Sequence, residues 1–152
     1  MAGPLARLMR YIGRGGAYVP TGDASVTGTE GFIGNVLTSD PVRYARNATI
    51  LEEEPALGLG APTVAWVDAA LRQMNLFGEP SYSASIRQPI LIVAAGRDEV
   101  VSTPAIETFG QGLLAGRHLV LAGAKHEILQ EQDQYRLQFW AAFDAFVPGT
   151  PR

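Results

Sequence analysis

The sequence predicts an α/β fold in which a mainly helical part precedes strand–helix units with parallel strands. Two short apolar runs carry this prediction, ILIVAA at 90–95 and HLVLAG at 118–123. Short continuous apolar runs rich in β-branched residues are typical of parallel strands that are covered on both faces. A segment with helical periodicity follows each run, and this order favours a right-handed parallel crossover. We therefore divide the chain into a helical region, 1–85, and an α/β region, 86–152.

The helical region begins with a short helix over residues 4–12, where apolar residues recur at helical spacing until a glycine-rich stretch ends the helix. Residues 20–38 are predicted to form a loop, because proline, threonine, glycine, aspartate and serine dominate there. A connection of that length is typical of a functional or mobile segment. The next helix begins at Ser39 or Asp40, either of which is a good N-cap residue, and ends at Pro55.

A third helix is predicted over residues 62–77, and Pro80 prevents its continuation. The polar residues 81–85 are expected to form a flexible joint. In the α/β region, helices over 103–114 and 133–147 follow the two strands. One face of the last helix carries four apolar residues, Leu137, Trp140, Phe143 and Val147.

The composition limits the classes of function that are open to the chain. It has 152 residues, of which 47% are hydrophobic, and its net charge of −3 argues against nucleic acid or an anionic membrane as a partner. The absence of cysteine excludes disulfides, thiol catalysis and zinc–thiolate sites. Two histidines are too few for a histidine-rich metal centre, so no metal and no cofactor are expected. No apolar run approaches the roughly 18–20 residues of a membrane span, so no transmembrane segment is predicted.

The first 22 residues contain three arginines and no acidic residue. Transit peptides share this charge pattern, but a short surface helix is the simpler interpretation. No apolar core follows the basic residues, which argues against a secretory signal. We expect a cytoplasmic protein.

Two residues with catalytic side chains lie just beyond the predicted strands, Asp98 after the first and His126 after the second. Adjacent parallel strands lie about 4.8 Å apart, and reactive groups collect beyond their carboxyl ends, so these two side chains are expected to meet. An aspartate on one imidazole nitrogen leaves the other nitrogen free to act as a general base. Spacing alone leaves open that Asp98 only caps a turn and that His126 only sits in a loop. Glu127 and Glu131 are expected to supply surface charge or to cap the last helix, and His118 is expected to be structural.

Three stretches carry a resemblance to a known family: PILIVAAGRDEVVS, LAGAKHEILQEQD, and the segment from LTSDPVRYARN to WVDAALRQM. Together they resemble the C-terminal half of an α/β-hydrolase. The group they resemble is that of the lysophospholipase L2-like and monoacylglycerol-lipase-like hydrolases, which is also classed with the serine aminopeptidase S33 superfamily. The resemblance implies a partial α/β-hydrolase fold with Asp98 as the acid and His126 as the base of a catalytic triad.

The resemblance also implies a helical cap over residues 1–85 and an ester substrate. The substrate would be a lysophospholipid, a monoacylglycerol or a smaller carboxylic ester. Residues of the cap that could line an acyl pocket are Trp66, Leu71, Met74, Leu76 and Phe77. The alternative for these five is ordinary packing between the cap and the core.

The chain departs from this family because none of its serines lies in a G-x-S-x-G motif. Met1 is therefore expected to follow the sixth strand of a larger fold, and the chain alone is expected to be inactive. The alternative is a non-catalytic remnant or interaction module that pairs through an exposed strand edge. In either case we expect dimerisation or a complementing N-terminal half to assist folding.

Overall fold

The computed structural model describes residues 2–20, 22–24 and 31–147, which include a two-stranded parallel sheet. Strand β1, Ile90–Ala95, pairs with strand β2, Gly116–Leu121, and helix α5, Thr103–Gln111, connects them. The α/β fold with parallel strands that the sequence predicts is confirmed. Strand β2 begins two residues earlier than predicted, because its first two residues, a glycine and an exposed arginine, lack the apolar signal.

The hydrophobic core lies at the carboxyl ends of the two strands. Ala95, Leu121 and Ala124 are buried there, and the small alanine side chains allow the backbones to approach closely. Partly buried apolar side chains pack around these three: Val93, Leu119, Ile128, Tyr135 and Phe139. The first four residues of β1 are only partly buried, so the predicted coverage on both faces holds only at its carboxyl end.

The last helix, α6, Asp133–Phe146, packs on this core with a face that the sequence did not single out. Tyr135 and Phe139, one turn apart, contact the buried cluster. The predicted apolar face is instead solvent exposed: Leu137 is 66% exposed and Trp140 is 42% exposed. Both faces of α6 are apolar, and the pattern alone does not distinguish them.

The chain divides into two compact units. The unit that contains the sheet consists of Gly31–Arg46 and Pro80–Arg152, and the other consists of Met1–Glu30 and Asn47–Glu79. Residues 31–46 and 80–85 thus group with the strands. The cap predicted over residues 1–85 stays a prediction.

Residues 81–85, expected to be a flexible joint, belong to helix α4, Pro80–Ser85. This expectation is wrong because tertiary packing orders the segment. The hydroxyl of Ser83 donates a hydrogen bond to the carbonyl of Pro80 at 3.2 Å, and Ser83 is buried beside Gly112. The ring of Tyr82 lies 6.4 Å from the ring of Phe109 on α5.

In the other unit, helix α1, Ala2–Met9, packs against helix α3, Val64–Phe77, and one wider turn, Arg10–Arg14, extends α1. Gly13, inside this turn, has φ +79°, a conformation that favours glycine. The buried carboxylate of Asp68 on α3 pairs with three guanidinium groups, those of Arg7 at 4.0 Å, Arg10 at 3.2 Å and Arg72 at 3.4 Å.

Helix α2, Pro41–Glu53, directly follows Asp40, one of the two N-caps predicted. The Asp40 carboxylate accepts hydrogen bonds from the backbone N–H groups of Val42 and Arg43, each at 3.0 Å. No helix in the described part of the chain combines the length and the apolarity needed to cross a bilayer.

We predict that Leu121→Ala lowers the free energy of unfolding by about 2–5 kcal/mol, because Leu121 is 1% exposed and its truncation leaves a cavity. The control is Leu137→Ala, which truncates a leucine that is 66% exposed and should change stability by about 0.5 kcal/mol or less. Urea unfolding followed by tryptophan fluorescence measures both. Equal losses in the two variants would contradict the assignment of the core.

Candidate active site

Asp98 and His126 are hydrogen bonded to each other beyond the carboxyl ends of the two strands. The Nδ1 atom of His126 lies 2.9 Å from Oδ2 of Asp98. The Asp98 side chain is 4% exposed and the His126 side chain is 33% exposed, so water reaches the imidazole and hardly reaches the carboxylate. The geometry places the pair together, and its catalytic role stays a prediction.

Backbone hydrogen bonds between the two strand ends bring these residues together. The N–H of Gly96 donates to the carbonyl of Leu121 at 2.9 Å, and the N–H of Arg97 donates to the carbonyl of Ala124 at 2.9 Å. Gly96 is required for this approach, because a Cβ atom at that position would lie 2.6 Å from the Cα atom of Ala122. These two hydrogen bonds join the segment that follows β1 to the segment that follows β2, and they do so directly before Asp98 in the chain.

A tight turn holds the carboxylate of Asp98. Its Oδ1 atom accepts hydrogen bonds from the backbone N–H groups of Val100 at 2.8 Å and Val101 at 2.9 Å. The other oxygen, Oδ2, is left for the imidazole. Asp98 therefore caps its own turn with one oxygen and binds His126 with the other, so turn capping and pairing with the histidine do not exclude each other.

The pKa of Asp98 results from opposing effects. Burial acts to raise the pKa of this carboxyl, but hydrogen bonds from Val101, His126 and Val100 outweigh burial and lower the pKa from its usual value. At neutral pH the carboxylate is therefore ionised and only accepts hydrogen bonds. It follows that Nδ1 of His126 carries the proton in this pair, and Nε2 of the neutral imidazole is the acceptor.

The five residues predicted to line an acyl pocket all belong to α3, in the other unit. Trp66 is 62% exposed and Met74 is 57% exposed, while Leu76 and Phe77 are exposed to a smaller extent, 43% and 45%. Leu71 is partly buried and lies beside α1. Their role in substrate binding stays a prediction.

Glu131 is the residue near this site that the sequence analysis misjudged. It was expected to supply surface charge or to cap the last helix. Its side chain is fully buried, and both carboxylate oxygens accept hydrogen bonds, one of them from the N–H of Gln132, which directly precedes α6. The surface-charge expectation is wrong because four donors compensate the burial, and the two on Ser39 are distant in sequence and not visible in any local pattern. The capping alternative stays a prediction. Its position five residues after His126 was the only available signal.

No serine hydroxyl within residues 2–20, 22–24 and 31–147 is hydrogen bonded to His126, while Ser25 lies outside the described residues. In the same described ranges, no group of three histidine or acidic side chains is placed to hold a metal ion. The other histidine, His118 on β2, lies against Gly110 of α5.

Comparison with known proteins gives relatives of one kind. The chain is 34% identical to lysophospholipase L2 of Escherichia coli K12 over 114 residues, which are 69% of this chain and 32% of that protein. It is 31% identical to the probable lysophospholipase L2 of Haemophilus influenzae over 140 residues, 92% of this chain and 44% of that protein. The chain is related to the lysophospholipase L2-like α/β-hydrolases. It spans less than half the length of these relatives.

A solved structure supports the same fold. A soluble variant of the monoglyceride lipase of Saccharomyces cerevisiae, crystallised with a substrate analogue, superposes with a TM-score of 0.64 at 13% identity. The superposition covers 94% of this chain and 47% of the lipase. No protein-family model matches the chain. The likeness to the lipase shows the fold, and the sequence identity to the lysophospholipase L2 proteins shows the relationship.

We predict that Asp98 stabilises the folded chain in a pH-dependent way. Because its pKa in the folded state lies below 3.8, its contribution is complete above about pH 5 and is lost as the pH falls through that lowered pKa. The difference in unfolding free energy between the unsubstituted chain and Asp98→Asn should therefore shrink below about pH 4. Urea unfolding between about pH 2.5 and pH 7 measures it.

Asp144→Asn is the matched control, because Asp144 is an exposed aspartate on α6 and the substitution makes the same chemical change. A difference between the unsubstituted chain and Asp98→Asn that stays constant over the whole pH range would contradict the prediction.

Proposed function

We propose that this chain carries the acid and the base of a serine ester hydrolase that acts on a lysophospholipid or a monoacylglycerol. The observation that carries the proposal is the 2.9 Å hydrogen bond between His126 and Asp98. The relationship to lysophospholipase L2 proteins supports the choice of a lipid ester as substrate.

The proposed chemistry needs only proton transfer and a positioned nucleophile. As a serine oxygen bonds to the acyl carbon, Nε2 of His126 accepts the hydroxyl proton, and Asp98 stabilises the imidazolium that forms. His126 then donates that proton to the departing alcohol, the glycerol portion of the lipid, and an acyl-enzyme remains. A water molecule, deprotonated by the same imidazole, then bonds to the acyl carbon. The acyl–serine bond breaks, the imidazolium returns the proton to the serine oxygen, and the fatty acid is released.

We propose that the nucleophilic serine is not encoded in these 152 residues. Of the serines in the sequence, Ser83 has the smallest neighbours, with Ser81 and Ser85 two residues away on either side. Its place on α4 argues against it, because it is 4% exposed and bonds back to Pro80 in place of projecting from a strand-to-helix turn. The chain alone would then be inactive.

Exposed apolar side chains on α3 support a lipid substrate. Trp66, Met74, Leu76 and Phe77 offer an apolar surface of the kind that an acyl chain would contact. Leu71, the partly buried member of the set, would contact the same acyl chain. Ordinary packing remains the alternative for all five.

We predict that a chimera in which this chain replaces the matching C-terminal segment of E. coli lysophospholipase L2 hydrolyses lysophospholipid. Asp98→Asn and His126→Asn should each lower kcat by at least about 10⁴-fold, because both residues act as one unit with the serine. His118→Asn, the other histidine, should leave kcat within about twofold. Fatty acid release under saturating substrate measures these rates.

The unfused chain serves as a further control in that experiment and should neither hydrolyse the lipid nor react with a fluorophosphonate probe. Covalent labelling of the unfused chain would place the nucleophile within it. A His126→Asn chimera as active as its parent would remove the proposed base.

A second candidate function, a module that pairs through a strand edge, has one observation in its favour. The sheet in the described residues has two strands, so β1 and β2 each have one edge without a strand partner there. Such edges are templates for pairing with another chain, and a two-stranded sheet is marginally stable by itself.

The pairing proposal predicts that light scattering after size-exclusion chromatography gives twice the 16.3 kDa chain mass at micromolar concentration. Replacing Leu91 by proline in β1 should restore the monomer mass. The N–H of Ile90 donates to the carbonyl of Ala115, directly before β2, so the N–H of the next residue, Leu91, faces the unpaired edge, and proline removes that donor. A monomer over the whole concentration range would contradict edge pairing and leave the hydrolase proposal unaffected.

A further inference from the structure

Glu131 is a buried carboxylate that ties three segments together near His126. It is 0% exposed, and it accepts hydrogen bonds from the backbone N–H of Ser39 at 3.1 Å and from the Ser39 hydroxyl. It also accepts from the backbone N–H groups of Lys125 at 2.8 Å and Gln132 at 3.1 Å. A buried carboxylate with four donors is well compensated, whereas removing one partner of such a group is destabilising.

Two hydrogen bonds, one of them to Glu131, fix the backbone on both sides of His126. The N–H of Lys125, the residue before it, donates to Oε1 of Glu131 at 2.8 Å. The N–H of Glu127, the residue after it, donates to the carbonyl of Leu37 at 2.8 Å. His126 is thus held between two backbone anchors, one from Glu131 further along the same connection and one from the distant Leu37.

The second anchor belongs to a strap, residues 35–39, which is itself ordered. A turn with Gly34 at φ +86° leads into the strap, and the Asn35 side chain accepts a hydrogen bond from the N–H of Thr38 at 3.0 Å. The Thr38 hydroxyl, in turn, donates to the carbonyl of Gln130 at 2.8 Å. The strap is therefore ordered by hydrogen bonds. It offers the carbonyl of Leu37 and the two donors of Ser39 to the loop that contains His126 and Glu131.

We infer that Glu131 is a positioning residue, which sets the place of His126 against Asp98 through Lys125 and Ser39. The inference rests on the proposed role of His126 as the base. A general base must lie within hydrogen-bonding distance of the proton that it takes, and a displacement of about 1 Å can lower a rate by about 10²-fold. If Glu131 only capped α6, its loss would leave the His126–Asp98 hydrogen bond unchanged.

NMR spectroscopy of the full 152-residue chain tests this inference without any need for hydrolysis. The chain has two histidines, so a His118→Gln variant assigns the ring signals of His126. In the unsubstituted chain, we expect a downfield Nδ1 proton and ring ¹⁵N shifts of a single tautomer. Glu131→Gln removes an acceptor for at least one of its donors and should cause loss of the Nδ1 proton signal by exchange, with ¹⁵N shifts typical of a tautomer mixture.

Glu127→Gln is the matched control. It makes the same change beside His126, and the Glu127 side chain takes part in none of these hydrogen bonds. The signals of His126 should be unchanged in this variant. An equal loss in Glu127→Gln would show a general effect of charge and would overturn the specific role of Glu131.

Two further variants, Asp98→Asn and Ser39→Ala, separate a failure of the proposed function from a failure of the positioning role of Glu131. Asp98→Asn should abolish the Nδ1 proton signal; if it does not, the Asp98–His126 pairing of the proposed function fails. If Asp98→Asn abolishes the signal while folded Glu131→Gln retains it, the positioning role is overturned. If Glu131→Gln does not fold, Ser39→Ala, which removes only the hydroxyl donor, should broaden the signal, and an unchanged signal there would also overturn the inference.

Discussion

The parallel pairing of β1 with β2 is the constraint on which the candidate site depends. The register runs from Ile90 opposite Gly116 to Ala95 opposite Leu121, so both strands end at the same level. The segments that follow leave the sheet at one edge and are joined there by backbone hydrogen bonds. A slip of one residue would turn every side chain of the shifted strand to the opposite face and would displace the two strand ends that the site requires from each other.

The two halves of the site are stabilised in different ways. Asp98 is held by N–H groups two and three residues further along the chain, so its turn is nearly self-contained. The loop of His126 relies instead on Leu37, Ser39 and Glu131, two of which are far away in sequence. Hydrogen bonds to distant segments are lost together when those segments detach, so the imidazole is the part of the pair whose place depends on tertiary structure.

This difference explains what the sequence could predict. Asp98 and His126 were identified because the ends of parallel strands meet, a rule that needs only two apolar runs and their order. The segment 81–85 was misjudged because its helix is stabilised by contact with α5, which is not visible in a polar stretch. Glu131 was misjudged for the same reason, since the donors that permit its burial come from residue 39 as well as from its neighbours. The core-facing side of α6 was not predictable, because Tyr135 and Phe139 compete with an equally apolar opposite face.

Two buried carboxylates near one imidazole are compatible because only Asp98 binds the ring, while Glu131 binds the backbone of the loop and Ser39. Asp98 directs one oxygen to the ring of His126 and satisfies the other with backbone N–H groups, so it offers the ring a single, directed acceptor. Glu131 directs its oxygens to the backbone before His126 and to Ser39, and it uses none of its hydrogen bonds on the ring. One carboxylate therefore selects the tautomer and the other fixes the loop, and a substitution in either acts on the same nitrogen, Nε2, by a separate physical route.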